Sequence, residues 1–265
     1  MIISDKFQFA FIHIPKCAGT SIRNHLDHLN EYSEFSAGRI NSHPMCGFMD
    51  YTHIPLAKLN EYFFYAFEKV CAYESFALIR NPYERFFSSL SQHSRVYLNT
   101  NIASMSKKQV IESANSVCDQ ISQKDLIDDY RFIHFEKQSN FLEIDGTRVV
   151  KTVIDVSEAQ RLLDIIAQIT DEPSSEVGEK NAARVFQSSA HRKLTQLAKQ
   201  INLVRSLGQK LPMVSHLARE IMYKPAKTSL SRTYMTKWLR DFIDNYYARD
   251  FEIWRELKAR GRSAD

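Results

Sequence analysis

The sequence contains no run of about 18 consecutive apolar residues, so no segment is expected to cross a bilayer as a helix. Its opening stretch, Met1 to Phe11, carries Asp5 and Lys6. It has no basic region followed by an apolar core, so no secretory signal is expected. Cysteine is sparse, with Cys17, Cys46, Cys71 and Cys118 the four in the chain. None forms C-x-x-C spacing or a metal-ligand spacing with histidine, and no zinc site is expected. Such usage suits the reduced thiols of a cytoplasm, and Cys46, Cys71 and Cys118 are read as small buried apolar residues. A strong charge of one sign is also missing: 35 basic against 31 acidic residues leave +4. That balance permits an anionic ligand without arguing for one. No internal repeat or low-complexity tract is visible, and 44% hydrophobic content is ordinary for a folded protein. Residues 1–265 are read as one domain.

What is present is an alternation of short apolar runs and helical periodicity. Gln8 to Ile14 reads as a strand closed by Pro15, and Ile22, Leu26 and Leu29 then fall at helical spacing. Pro55 to Phe67 reads as a helix, Ser75 to Ile79 as a buried strand, and Tyr83 to Tyr97 as a helix. Arg148 to Asp155 reads as a third strand. Ser106 with Gln109 and Ser157 with Gln160 look like capping boxes. Residues 171–179 are polar and loop-like, and Met235 to Leu257 reads as one helix with an aromatic core stripe that includes Trp238. Strands alternating with helices predict an α/β fold: a central parallel β-sheet flanked by helices on both faces.

Two segments carry chemistry. In Pro15-Lys16-Cys17-Ala18-Gly19-Thr20-Ser21 a strand ends, a lysine and a glycine follow, and hydroxyl residues open a helix. A helix N-terminus offers unpaired N–H groups and partial positive charge, which together hold phosphate or sulfate. Gly19 lets a backbone approach an anion, and Lys16 adds a full charge. The Walker pattern needs its lysine after the second glycine and a Ser/Thr next to it. Here Lys16 precedes Gly19 and Cys17 follows the lysine, which disfavours a metal-dependent NTPase. In Arg80-Asn81-Pro82-Tyr83-Glu84-Arg85-Phe86-Phe87-Ser88, Arg80 closes an apolar strand, where α/β proteins place ligand contacts. Arg80 can fork onto a phosphate while Ser88 adds a hydroxyl. Arg85 reads as a helical surface charge or a partner of Glu84.

The two segments in this order resemble the PAPS-dependent sulfotransferases, particularly the carbohydrate group with the chondroitin, dermatan and HNK-1 enzymes and their bacterial relatives. That group carries a P-K-x-G-T-[ST] loop for the 5′-phosphosulfate, matched here with one extra residue before Gly19. It also carries R-[ND]-P-x-x-R-x-x-S for the 3′-phosphate, matched at each fixed position. His134 to Phe141 resembles the family's H-x-x-P-Q-x-x-F with Lys137 at the proline, and Tyr247 to Phe251 its closing Y-x-x-D-F. The resemblance implies a P-loop-NTPase-like three-layer fold. It implies sulfuryl transfer from 3′-phosphoadenosine 5′-phosphosulfate (PAPS) to a hydroxyl of a carbohydrate or glycolipid, with PAP as product and no metal. Lys16, Cys17, Ala18, Gly19, Thr20, Ser21, Arg80 and Ser88 would bind the nucleotide. Lys16 would also act in catalysis, with a histidine as base. Related enzymes place a histidine between the two motifs, which selects His53. His43 and then His134 are the alternatives, and His13 reads as a packed strand residue.

Two other functions compete. A P-loop-like phosphotransferase using ATP would also place an anion at a strand–loop–helix turn, but the missing G-K-[ST] argues against it. A nucleic-acid-binding module would use His191-Arg192-Lys193 and Lys224 to Arg232. These runs lack interleaved aromatics and read as solvated faces, so no nucleic-acid partner is expected.

Overall fold

The computed structural model describes residues 1–35, 40–123, 129–174, 176, 184–186, 223–225 and 229–262. Strands β1 (Ile2–Ser4) and β2 (Phe9–Ile12) precede helix α1 (Gly19–Leu26). A hairpin, β3 (Ile40–His43) with β4 (Gly47–Asp50), leads to α2 (Leu56–Tyr62) and α3 (Phe64–Ala72). Then come β5 (Glu74–Ile79), α4 (Pro82–Val96) and α5 (Lys107–Gln123). A small hairpin, β6 (Glu143–Ile144) and β7 (Thr147–Arg148), precedes β8 (Thr152–Asp155) and α6 (Ala159–Thr170). Strands β9 (Arg184–Phe186) and β10 (Tyr223–Pro225) pair with each other, and α7 (Leu230–Tyr234), α8 (Lys237–Tyr246) and α9 (Ala248–Arg262) close the chain.

The central sheet runs in the order β1-β2-β5-β8. Pairs β2–β5 and β5–β8 are parallel, whereas β1 is antiparallel to β2. The expected parallel sheet is therefore a mixed one. The cause is local: β1 and β2 are joined by a tight turn containing Gln8 at φ 52, and so short a connection permits only an antiparallel pair. Each residue of β2 is buried, as a strand covered on both faces requires. Helix α3 packs on β1, β2 and β5, while α6 and α9 pack on β8. A second apolar cluster joins α4, α5, α8 and α9 through Phe86, Leu90, Val117, Leu239, Ile243 and Phe251.

Several expected elements are divided. The helix read over Pro55–Phe67 breaks at Phe63 (φ −137, ψ 51), whose ring packs against Phe35 and Tyr51 at 5.5 and 5.6 Å. The strand read from Arg148 shrinks to β8, because Asp145 and Gly146, at φ 49 and 76, turn residues 143–148 into a hairpin. The C-terminal helix breaks at Tyr247, which is buried and donates its hydroxyl to the Phe135 carbonyl at 2.7 Å. Trp238 is 49% exposed, so that end of the aromatic stripe is not core. Ser106 and Gln109 do form their capping box. Ser157 and Gln160 do not: Asp155 caps the turn instead, accepting from the Ser157 N–H at 2.9 Å. Residues 191–193, and residues 175 and 177–179 of the loop read over 171–179, lie outside the described residues. Among the described residues no helix is long and apolar enough to cross a membrane.

Candidate functional site

Strands β2 and β5 are parallel neighbours, so the segments that follow them leave the same edge of the sheet. That edge is where open α/β sheets bind ligands. The Asn-Pro of the second segment has a structural task there. Pro82 is the first residue of α4, and the Asn81 side chain accepts from the N–H groups of Tyr83 and Glu84 at 3.0 and 3.3 Å. Between the two segments lies a cavity of about 610 Å³. Lys16, Ala18, Gly19, Thr20 and Ser21 line it from the first segment, Arg80 and Ser88 from the second, and His53 from the loop before α2. Cys17 is the exception. Its side chain is buried away from the cavity, with Sγ 3.2 Å from Gln138 Oε1, and burial pushes the thiol up to about 12. Cys17 can offer a ligand only its backbone.

The first loop is strained where it meets the cavity. Lys16 and Ala18 take left-handed φ values of 65 and 58, each costing about 1–2 kcal/mol for a residue with a β-carbon. Lys16 Nζ donates to Gln92 Oε1 at 2.7 Å, an amide rather than a carboxylate. Burial, with Arg95 and Arg80 nearby, lowers its pKa to about 8. Among the described residues no side chain caps α1, which leaves its first donors open. Ser21 is not among them, because its N–H already bonds the Ala18 carbonyl at 2.9 Å. The glycine has another reason than anion approach. A Cβ on Gly19 would stand 1.9 Å from His13 Cδ2, so the helix can start here only without a side chain.

His13, His53 and His134 line the same cavity in series. His13 and His53 meet edge to face at 4.5 Å, and His53 and His134 at 5.3 Å. His53 Nδ1 lies 2.9 Å from the His13 carbonyl. A carbonyl only accepts, so Nδ1 carries the proton and Nε2 the lone pair. Burial lowers the His53 pKa to about 3 and holds His13 and His134 well below the usual value. All three are neutral at pH 7. Donor atoms of Asp50, His53 and His134 lie within 4.8 Å of one another, close enough to share an ion. His43 does not line the cavity; it packs on Tyr62 and Phe63, with Nδ1 3.3 Å from Cys46 Sγ. Of the three cysteines read as buried, Cys118 is so, Cys46 is half-buried and Cys71 is exposed.

Three side chains at fixed positions of the quoted motifs, to which the sequence analysis gave no part in the site, hold it together. Gln138 bridges the two segments: Nε2 donates to the Arg80 carbonyl at 3.0 Å, and Oε1 accepts from the Arg80 N–H at 2.9 Å and the Cys17 thiol. Asp250 accepts from the N–H groups of Gln138 and Ser139 at 2.8 and 2.9 Å. Arg85 is fully buried rather than a surface charge, and donates to the carbonyls of His134 and Glu136. Gln92 had one usable signal, since it falls one helical turn after Ser88 on the same face of α4.

A family model described as "Sulfotransferase family" matches residues 1–255. No curated protein and no solved structure matches the chain. The chain belongs to the sulfotransferase family.

Proposed function

We propose that this sulfotransferase-family chain transfers a sulfuryl group from PAPS to a hydroxyl of a carbohydrate or glycoconjugate, in a P-loop-NTPase-like fold. The observation that carries the reading is one cavity wall holding Lys16 and Arg80, with neutral His53 in the same cavity. Burial, and then the neighbouring Arg95 and Arg80, lower the pKa of Lys16. Among the described residues Lys16 has no carboxylate partner, and positive charge concentrated in this way fits a polyanionic nucleotide. Bound PAPS would supply an activated sulfuryl group whose leaving phosphate gains charge. Lys16 and the open donors of Gly19 and Thr20 would hold the 5′ end and stabilise that charge. Arg80 and Ser88 would hold the 3′-phosphate. His53 Nε2 would take the acceptor proton, while the His13 carbonyl keeps the ring oriented. Positioning and charge do most of the work in such transfers.

The test compares PAP with Mg-ATP by thermal unfolding in chelator-treated buffer. PAP at about 100 times its dissociation constant adds about 2.7 kcal/mol and raises the midpoint by several degrees. Lys16→Ala should reduce turnover with labelled PAPS by about 10²–10³. Stabilisation by Mg-ATP alone, or near-normal turnover of the variant, removes this reading in favour of phosphoryl transfer or of another cation.

A further inference from the structure

The cavity has two unlike ends. Ser88, Gln92 and Val96 are spaced four apart along one face of α4, and all three line it. Eight helical residues span about 12 Å. The wall therefore runs from the proposed 3′-phosphate contact at Ser88, past Gln92 and Lys16, to Val96 and Tyr97. At that far end the polar lining gives way to an apolar lip. Val96 is 55% exposed and Ile40 39%, and both border the cavity. The β3–β4 register explains how the opposite side is built. Ile40 pairs with Asp50 and Ser42 with Phe48, which puts Ile40, Phe48 and Asp50 on one face, while Met49 turns the other way into the core. Asp50 and Ile40 border the cavity, so Phe48, 61% exposed, extends the same face outward to meet Tyr130 at 6.4 Å.

Exposed apolar side chains gathered beside a polar cavity mark a binding surface. This one is continuous with the cavity and lies past Lys16, away from the Arg80 and Ser88 end. Its occupant is thus the body of the acceptor and not the nucleotide. We infer that the acceptor is amphipathic, a glycolipid-like molecule whose hydroxyl-bearing head enters beside His53 while a hydrocarbon chain lies across Phe48, Ile40 and Val96. The inference rests on the proposed sulfuryl transfer and names its acceptor class.

Binding of methyl and n-octyl β-glucoside, the latter below its micelle concentration, tests it by calorimetry on the full chain with PAP. The octyl compound should bind at least about tenfold more tightly, since even two buried methylenes suffice for that ratio. In the exposed-site double variant Phe48→Ser, Val96→Ser the ratio should fall toward one with PAP affinity unchanged. Equal affinity for the two glucosides, or a ratio that survives in the variant, overturns the inference. So does a dimer that dissociates in the variant with no octyl preference, which gives the lip to a second copy. Failure of PAP to bind overturns the transfer reading instead, and is read separately in the same titrations.

Discussion

Lys16 is the side chain whose protonation should govern the pH response. Its pKa is lowered to about 8, chiefly by burial and further by Arg95 and Arg80. A lowered lysine is cationic below that value and loses its charge as pH rises through it. The free-enzyme parameter kcat/KM should therefore fall above about pH 8, in a range where an ordinary lysine is still charged. His53 behaves oppositely to a typical histidine base. Held at about 3, it is already neutral near pH 6.5 and should add no acid limb there. The measurement is kcat/KM from pH 5 to 10 for the parent and for Lys16→Arg, whose guanidinium stays charged throughout. An alkaline limb that is unchanged in the variant would assign the titration to another group. The identities of Lys16, Arg80 and Ser88 as cavity residues were legible in the sequence, because each follows a strand whose apolar run is unmistakable. The environment that lowers the Lys16 pKa was not, because its burial and the approach of Arg95 arise only through tertiary packing.

At the scale of elements, the start of α1 is fitted to the end of β2. His13 follows the last residue of β2, and its ring occupies the space a β-carbon at Gly19 would need. The ring also packs on His53, and its carbonyl orients that residue. Gly19→Ala should consequently lower stability by about 1–3 kcal/mol, as overpacking does. Removing the obstructing ring as well, in Gly19→Ala with His13→Ala, should cost less than the sum of the single changes by at least about 0.5 kcal/mol. Urea unfolding of the three variants gives the coupling, and strict additivity would separate Gly19 from His13. The strand–loop–helix itself could be read from Q-F-A-F-I-H-I-P and the spacing of Ile22 and Leu26. The reason for glycine could not, since it depends on where a neighbouring ring points. Likewise Phe63 and Tyr247 break their helices for partners far along the chain, Phe35 and Phe135 among them, and local periodicity carries no mark of such partners.

Across the whole molecule, the site depends on contacts between the ends of the sequence. Segment 134–139 touches the first loop through Gln138 and Cys17, the second segment through Gln138 and Arg80, and α9 through Asp250. Arg85 lies beneath this segment. Its guanidinium reaches the His134 and Glu136 carbonyls and stands 4.0 Å from Asp250, with both side chains about 1% exposed or less. A charge so buried is tolerated because Asp250 and the two carbonyls balance it, although Nε has no partner among the described residues. Arg85→Met keeps the aliphatic stem but leaves the Asp250 carboxylate without its cation and the Glu136 carbonyl without that donor. The expected loss is about 3–5 kcal/mol, the size seen when one partner of a buried pair is removed. It should appear as a lowered urea midpoint at constant slope, showing lost stability rather than a changed unfolded state. Because Gln138 is held by Asp250 and in turn holds Arg80, PAP affinity of the folded fraction should weaken too, although Arg85 does not line the cavity. A stability within about 0.5 kcal/mol of the parent, with unchanged PAP affinity, would show that the segment is held by Asp250 and Tyr247 without it.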